Sequence, residues 1–211
     1  MIYLACILLA LWAVETIASA HVGMYTLHRY PLTAMCLLLR TGLYAAMAND
    51  WFSSGPAAYR MGHFATAWAF RTLTVLICLE SVWLMAQGIP SVRRFALASS
   101  LLFAALGIVV AMVTAGLLHG QWIDSTLGNN IGAYRNLAVA CMVYLTMNHW
   151  LYEKQRPAGE LATRHWRGTV VLVAGLMIGY GLEGHGRWAT AVGQYIVRIG
   201  SLVSLVIWSR R

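Results

Sequence analysis

An all-α, polytopic membrane bundle is the fold class this chain predicts, and three observations carry that expectation. Hydrophobic residues make up 60% of the 211 and charged residues 10%, with a mean hydropathy of +0.65. An average soluble domain has roughly 25% charged residues. Apolar runs that read as membrane spans recur seven times, at about 2–20, 31–48, 64–87, 95–118, 136–152, 168–183 and 189–208, the third reaching roughly 36 Å as a helix against a ~30 Å hydrocarbon core and the fifth being short. Basic residues collect in alternate links between those runs. Together the spans are expected to form a single transmembrane domain over residues 1–211, leaving no room for a separate soluble one.

The first span ends in Ala18-Ser19-Ala20, which has the look of a signal-peptide cleavage site. There is no basic segment before it, and Glu15 interrupts its apolar core, so it is expected to stay as a helix. HVGMYTLHRY links it to the second span, where Pro31 suits a first helical turn and Arg40 lies near the middle. The polar stretch 49–63, with Ser53-Ser54-Gly55-Pro56, reads as a loop. FATAWAFRTLTVLICLESVWLMAQ, the third span, carries Arg71 and Glu80. They stand about 2.5 turns apart, on opposite sides of the helix, so they cannot pair with each other and each needs a partner elsewhere.

The fourth span has no ionisable side chain. Its Gly107, Ala111 and Ala115 form a small-residue stripe suited to close helix packing. HGQWIDSTLGNNIGAYR reads as the longest exposed loop, and EKQRPAGELATRHWR, the most charged stretch, as hydrated. The sixth span contains a second small-residue pair, Gly175 and Gly179, and the seventh carries Arg198.

With the N-terminus outside, the inner side holds Arg29, Arg93, Arg94, Lys154, Arg156, Arg164, Arg167, Arg210 and Arg211, and the outer side Arg60, Arg135 and Arg187. That asymmetry predicts an N-out, C-in orientation. Trp51, Trp122 and Trp188 then fall at the outer boundary, and Trp83, Trp150, Trp166 and Trp208 at the inner one, as interfacial belts. The basic balance reads as topology signals and anionic-lipid contacts rather than nucleic-acid binding.

This placement leaves Glu15, Arg40, Arg71, Glu80 and Arg198 within spans and Glu183 at the outer end of the sixth. A lone charge at the bilayer centre costs at least ~2.5 kcal/mol, so ion pairs are expected. Glu15 with Arg40 is the easiest, on neighbouring spans; Glu80 with Arg198 and Glu183 with Arg71 match in depth. Such pairs either fix helix register or line a proton or ion path.

No cofactor is expected. His63, His119 and His185 near the outer face are the one speculative metal or b-haem set, and His21, His28, His149 and His165 sit near the inner face, where they read as interfacial caps. Cys6, Cys36, Cys78 and Cys141 fall in apolar runs without C-x-x-C spacing and read as buried free thiols. The last helix lacks the lysine a retinal Schiff base requires, and no G-x-S-x-G, Walker, H-E-x-x-H or Asp-rich motif occurs.

Four segments, YRMGHFATAWAFRTLTVLICLESVWLMAQ, RNLAVACMVYLTMNHWLYEKQ, HWRGTVVLVAGLMIGYGLEG and IVRIGSLVSLVIWSRR, resemble a family of short seven-helix membrane proteins of Acidobacteria-type bacteria. The resemblance implies a bacterial inner-membrane location and carries over no activity and no functional residue. The histidine content departs from the family pattern. The functional expectation is a non-enzymatic role: an accessory or scaffold subunit of a larger membrane assembly, or a small sensor, in contact with lipid and with other membrane subunits or copies of itself. The alternative is a small proton, ion or solute channel or transporter. A b-haem electron carrier is a remote third reading.

Overall fold

The computed structural model describes residues 2–48, 56–87, 95–96, 98–103, 105, 109, 127–154, 159–183 and 185–210. Six helices are delimited: α1 (Ile2–Thr26), α2 (Pro31–Ala48), α3 (Pro56–Ala86), α4 (Leu127–Glu153), α5 (Glu160–Leu182) and α6 (Arg187–Ser209). Residues 95–96, 98–103, 105 and 109 are helical too, and no strand occurs among the described residues. Among the described residues, three helices are long and apolar enough to cross a membrane: α1 over Cys6–Thr26, α3 over Ala69–Ala86 and α6 over Arg187–Ser209.

The helices run well past several expected limits. α1 continues six residues beyond position 20, through most of the stretch read as a link, and its last residue, Thr26, donates its hydroxyl to the Val22 carbonyl at 2.7 Å. Only then does the chain turn, with the Arg29 and Tyr30 N–H groups both donating to the Thr26 carbonyl at 2.9 Å, before Pro31 opens α2. The expected loop at 49–63 is helical from Pro56, and the expected long loop from Leu127. Glu160 starts α5 inside the stretch read as hydrated. In each case polar side chains occupy a helix terminus, where hydropathy falls but the backbone bonding does not.

α3 lies in the middle, packed against α2 on one side and α4 and α5 on the other. Its Cys78, Val82, Met85 and Ala86 join Cys141, Tyr144 and Leu145 of α4 in one buried cluster. Its Leu73 and Ile77 join Val22, Tyr30, Leu37, Leu205 and Trp208 in a second. Residues 88–126 separate Gln87, where α3 ends in a turn, from α4. The described part of that interval is helical.

α5 and α6 make the closest pair. A Cβ on Gly175 would stand 3.2 Å from the Gly200 Cα, and one on Gly179 only 2.6 Å from the Gly193 carbonyl oxygen, so the backbones touch where side chains are absent. Gly107, Ala111 and Ala115, the other expected stripe, lie outside the described residues.

Buried charge inside the bundle and large apolar side chains on its outside set the chain apart from a protein in water. Glu15, Arg71, Glu80 and His165 are all buried, whereas Leu9, Ile17, Met24, Val143, Met147, Ile199 and Val206 are exposed. Of the cysteines expected to be buried, Cys36, Cys78 and Cys141 are, while Cys6 is exposed on the outer surface of α1.

Candidate functional site

Polar side chains meet in two clusters inside the helices. The first forms around Glu15, fully buried on α1, whose two carboxylate oxygens accept from different helices. Oε1 takes Arg40 Nη2 of α2, and Oε2 takes Arg198 Nη1 of α6 at 2.7 Å. The Tyr44 hydroxyl, one turn beyond Arg40, accepts from Arg198 Nη1 at 2.7 Å and from Arg40 Nη2 at 3.1 Å. Arg40 Nη1 donates to Ser201 Oγ at 3.1 Å. Both guanidiniums lie over the Tyr44 ring, 5.3 Å (Arg40) and 5.5 Å (Arg198) from its centroid. One carboxylate thus ties three helices together, with two cations on it.

The second cluster lies at the end where the α1–α2 turn, the start of α5 and the close of α3 and α6 converge. Glu80 of α3 accepts the Leu32 N–H on Oε1 at 2.9 Å and the Thr33 N–H on Oε2 at 2.6 Å. Those are the second and third residues of α2, whose first-turn amides have no partner within the helix. A capping residue ordinarily lies just before the helix it caps; here the cap comes from another helix, and its negative charge suits the positive end of the α2 dipole.

His165 of α5, fully buried, completes this cluster. Its Nε2 is 2.8 Å from Thr33 Oγ1 and 3.5 Å from Glu80 Oε2. The ring packs edge-on against Tyr30 at 4.6 Å and beside Trp208 at 5.7 Å, and the Trp208 indole N–H donates to the His165 carbonyl at 3.1 Å. His165 precedes the sixth expected span. Burial holds its imidazole below the ordinary histidine range, against the opposing pull of Glu80. At the rim, Arg29 and Arg164 both donate to the Arg210 carbonyl, at 3.2 and 2.6 Å, where α6 ends in unpaired carbonyls.

These contacts revise the expected pairing. Glu15 and Arg40 do meet, but Arg198 joins them instead of Glu80. The reason is depth: Glu80 reads the first turn of α2, and Arg198 reaches Tyr44, eleven residues and about 16 Å further along that helix. Glu183 hydrogen-bonds Gln194 and lies in the field of Arg198. Arg71 is buried at 2% exposure.

His165, read from sequence as an interfacial cap, is a core residue, and the second cluster as a whole was not anticipated. The available signal was the His165/Thr169 spacing of one helical turn, which puts both side chains on one face, where the Thr169 hydroxyl bonds the His165 carbonyl at 2.9 Å. Of the speculative metal or haem set, His185 is exposed, while the side chain of His63 and all of His119 lie outside the described residues. Among the described residues no three His, Cys, Asp or Glu side chains group as metal ligands.

No family model, no curated protein and no solved structure matches the chain.

Proposed function

We propose that the chain is a non-enzymatic integral membrane protein, a seven-span bundle oriented N-out and C-in in a bacterial inner membrane, serving as an accessory or scaffold subunit of a larger membrane assembly. The observation that carries this reading is the combination of buried charge with an apolar exterior: Glu15, Arg71, Glu80 and His165 are buried while exposed Leu, Ile, Val and Met side chains line the outside. In water such a surface would be an aggregation liability; in lipid it is the solvent-matched one. Charge at Glu15, Arg40, Arg198 and Glu80 is then used to join helices.

The remaining helices fit the same reading. α2 loses apolar character to Arg40, yet that charge is neutralised by Glu15. α4 and α5 lose theirs at termini that carry Asn129, Asn130, Arg164 and Arg167, beyond the spans themselves. Arg29, Lys154, Arg164 and Arg210 gather where α1, α4 and α6 end, which suits a cytoplasmic face. The resemblance to short seven-helix proteins of Acidobacteria-type bacteria points to the same compartment.

Two experiments test the proposal. Cysteines placed at Trp122 and Lys154, in a chain lacking Cys6, should be labelled from opposite sides of the membrane; labelling from one side contradicts the topology. Purification in mild detergent should recover the chain with other membrane subunits. A chain that runs alone and gives ion or solute flux in reconstituted vesicles is a channel or transporter instead.

A further inference from the structure

The arginines at the rim of the second cluster carry more donors than the chain uses. Arg29 Nη1 and Arg164 Nη1 both donate to the Arg210 carbonyl, at 3.2 and 2.6 Å, so two guanidiniums from distant parts of the sequence converge on one neutral oxygen. A guanidinium has several N–H groups and no acceptor. Among the described residues Arg29 makes no other hydrogen bond and no ion pair, and it lies over the Tyr25 ring, 5.9 Å from the centroid. Arg164 has one carboxylate partner, Glu160, whose side chain is 85% exposed.

Charge is unbalanced in the same place. Arg29, Arg164, Arg210 and the exposed Arg167, about one turn past Arg164, outnumber Glu160 and the buried Glu80, and Glu80 already accepts the Leu32 and Thr33 amides. Glu153 is taken by His149 at 2.7 Å and stands next to Lys154. Depth and surroundings specify what this excess attracts. The stretches of α1 and α6 that are long and apolar enough to cross a membrane end at Thr26 and Ser209, so Arg29 and Arg210 stand just beyond them, at headgroup level. On the hydrocarbon side the last turns of α1 and α6 expose Met24, Tyr25, Val203 and Val206. A surface that is cationic at its water edge and apolar beneath fits an amphiphile with an anionic head better than a free anion. The non-bridging oxygens of a phosphodiester suit the planar fork of arginine, and a negative charge between two guanidiniums offsets their repulsion.

We propose that Arg29 and Arg164, gathered on the Arg210 carbonyl where the α1–α2 turn meets the start of α5 and the end of α6, form a binding site for the phosphodiester of an anionic phospholipid. The phosphate accepts from N–H groups that the Arg210 carbonyl and Glu160 leave unused, and the acyl chains lie over the exposed last turns of α1 and α6. A lipid held there ties the turn to both helices, a defined site within the general basic face. The site rests on the membrane location proposed above and not on the scaffold role.

The test is thermal unfolding of the full chain in nonionic detergent micelles titrated with dioleoylphosphatidylglycerol, dioleoylphosphatidylcholine or inorganic phosphate. Phosphatidylglycerol should raise the midpoint. Phosphatidylcholine, whose phosphate carries its own cation, should raise it much less, and inorganic phosphate should not raise it. Arg29→Gln and Arg164→Gln should each weaken phosphatidylglycerol about tenfold through loss of a hydrogen bond between charged groups. Lys154→Gln, just past α4 and outside the cluster, should leave that affinity unchanged. If one arginine variant does not fold, the other reads the same site, and the comparison of lipids on the parent chain needs neither. Equal stabilisation by phosphatidylcholine, stabilisation by inorganic phosphate alone, no stabilisation by any of the three, unchanged affinity in the arginine variants, or a loss in Lys154→Gln as large as theirs overturns the site. Labelling of Trp122 and Lys154 positions from opposite sides would still uphold the membrane location in each of those cases.

Discussion

Glu80 of α3 accepts the backbone N–H of Thr33 at 2.6 Å, so a carboxylate from the middle helix closes the first turn of α2. Because the partner amides are backbone, truncating a side chain of α2 does not remove them. Replacing Glu80 with Ala strips the acceptor from the buried Thr33 N–H and the part-buried Leu32 N–H, and Glu80→Ala should cost about 1–3 kcal/mol. Glu80→Gln retains one acceptor oxygen and should cost less. Thermal unfolding followed by circular dichroism in detergent measures both; equal losses would mean that the capping contact is not what Glu80 contributes.

His165 gives the pH dependence its sign. Its folded pKa lies below the ordinary value of about 6.5, chiefly through burial. The folded chain thus binds fewer protons there than the unfolded chain. Its contribution to stability is fully present above pH ~6.5 and is lost as the pH falls from there toward the folded pKa. Unfolding midpoints recorded from pH 8 downward should decline below about 6.5, and His165→Asn should flatten that decline. A variant as pH-sensitive as the parent in this window would assign the dependence to another group.

The α5–α6 seam predicts a contrast among glycines. Gly193→Ala drives a methyl group into the Gly179 backbone, whereas Gly42→Ala on α2 meets nothing within 4 Å. Overpacking should make the first change cost about 1–3 kcal/mol. The second should be neutral or stabilising by up to about 1 kcal/mol, as alanine favours a helix over glycine. Comparable midpoints for the two variants would show that the backbones do not approach as closely as described.

How much of this the sequence revealed depends on how local the cause is. Helix formation and the Glu15–Arg40 neighbourhood were legible, since the two residues lie on helices joined by one short turn. Helix limits were not, because Asn129, Asn130, Glu160 and Arg164 lower the hydropathy of segments that stay helical. The Glu80 cap leaves no local trace: Leu32 and Thr33 contribute backbone, which is the same at every position. His165 sits amid Arg164 and Arg167 and reads as hydrated, yet Tyr30 and Trp208, more than forty residues away on either side, enclose it. Three acids and three arginines allow several pairings, and only the helix depths select among them.

The measurement that bears most directly on the account is a pair of double-mutant cycles on detergent stability. One combines Glu15→Gln with Arg198→Gln, and the other Glu80→Gln with Arg198→Gln. If buried charge joins the helices as described, the first pair should couple by more than about 1 kcal/mol, because Arg198 donates to Glu15 directly and Glu15→Gln leaves its guanidinium without that carboxylate. The second pair should be additive within about 0.5 kcal/mol, since the two groups are at different depths. Strong coupling of Glu80 with Arg198, or none between Glu15 and Arg198, would contradict it.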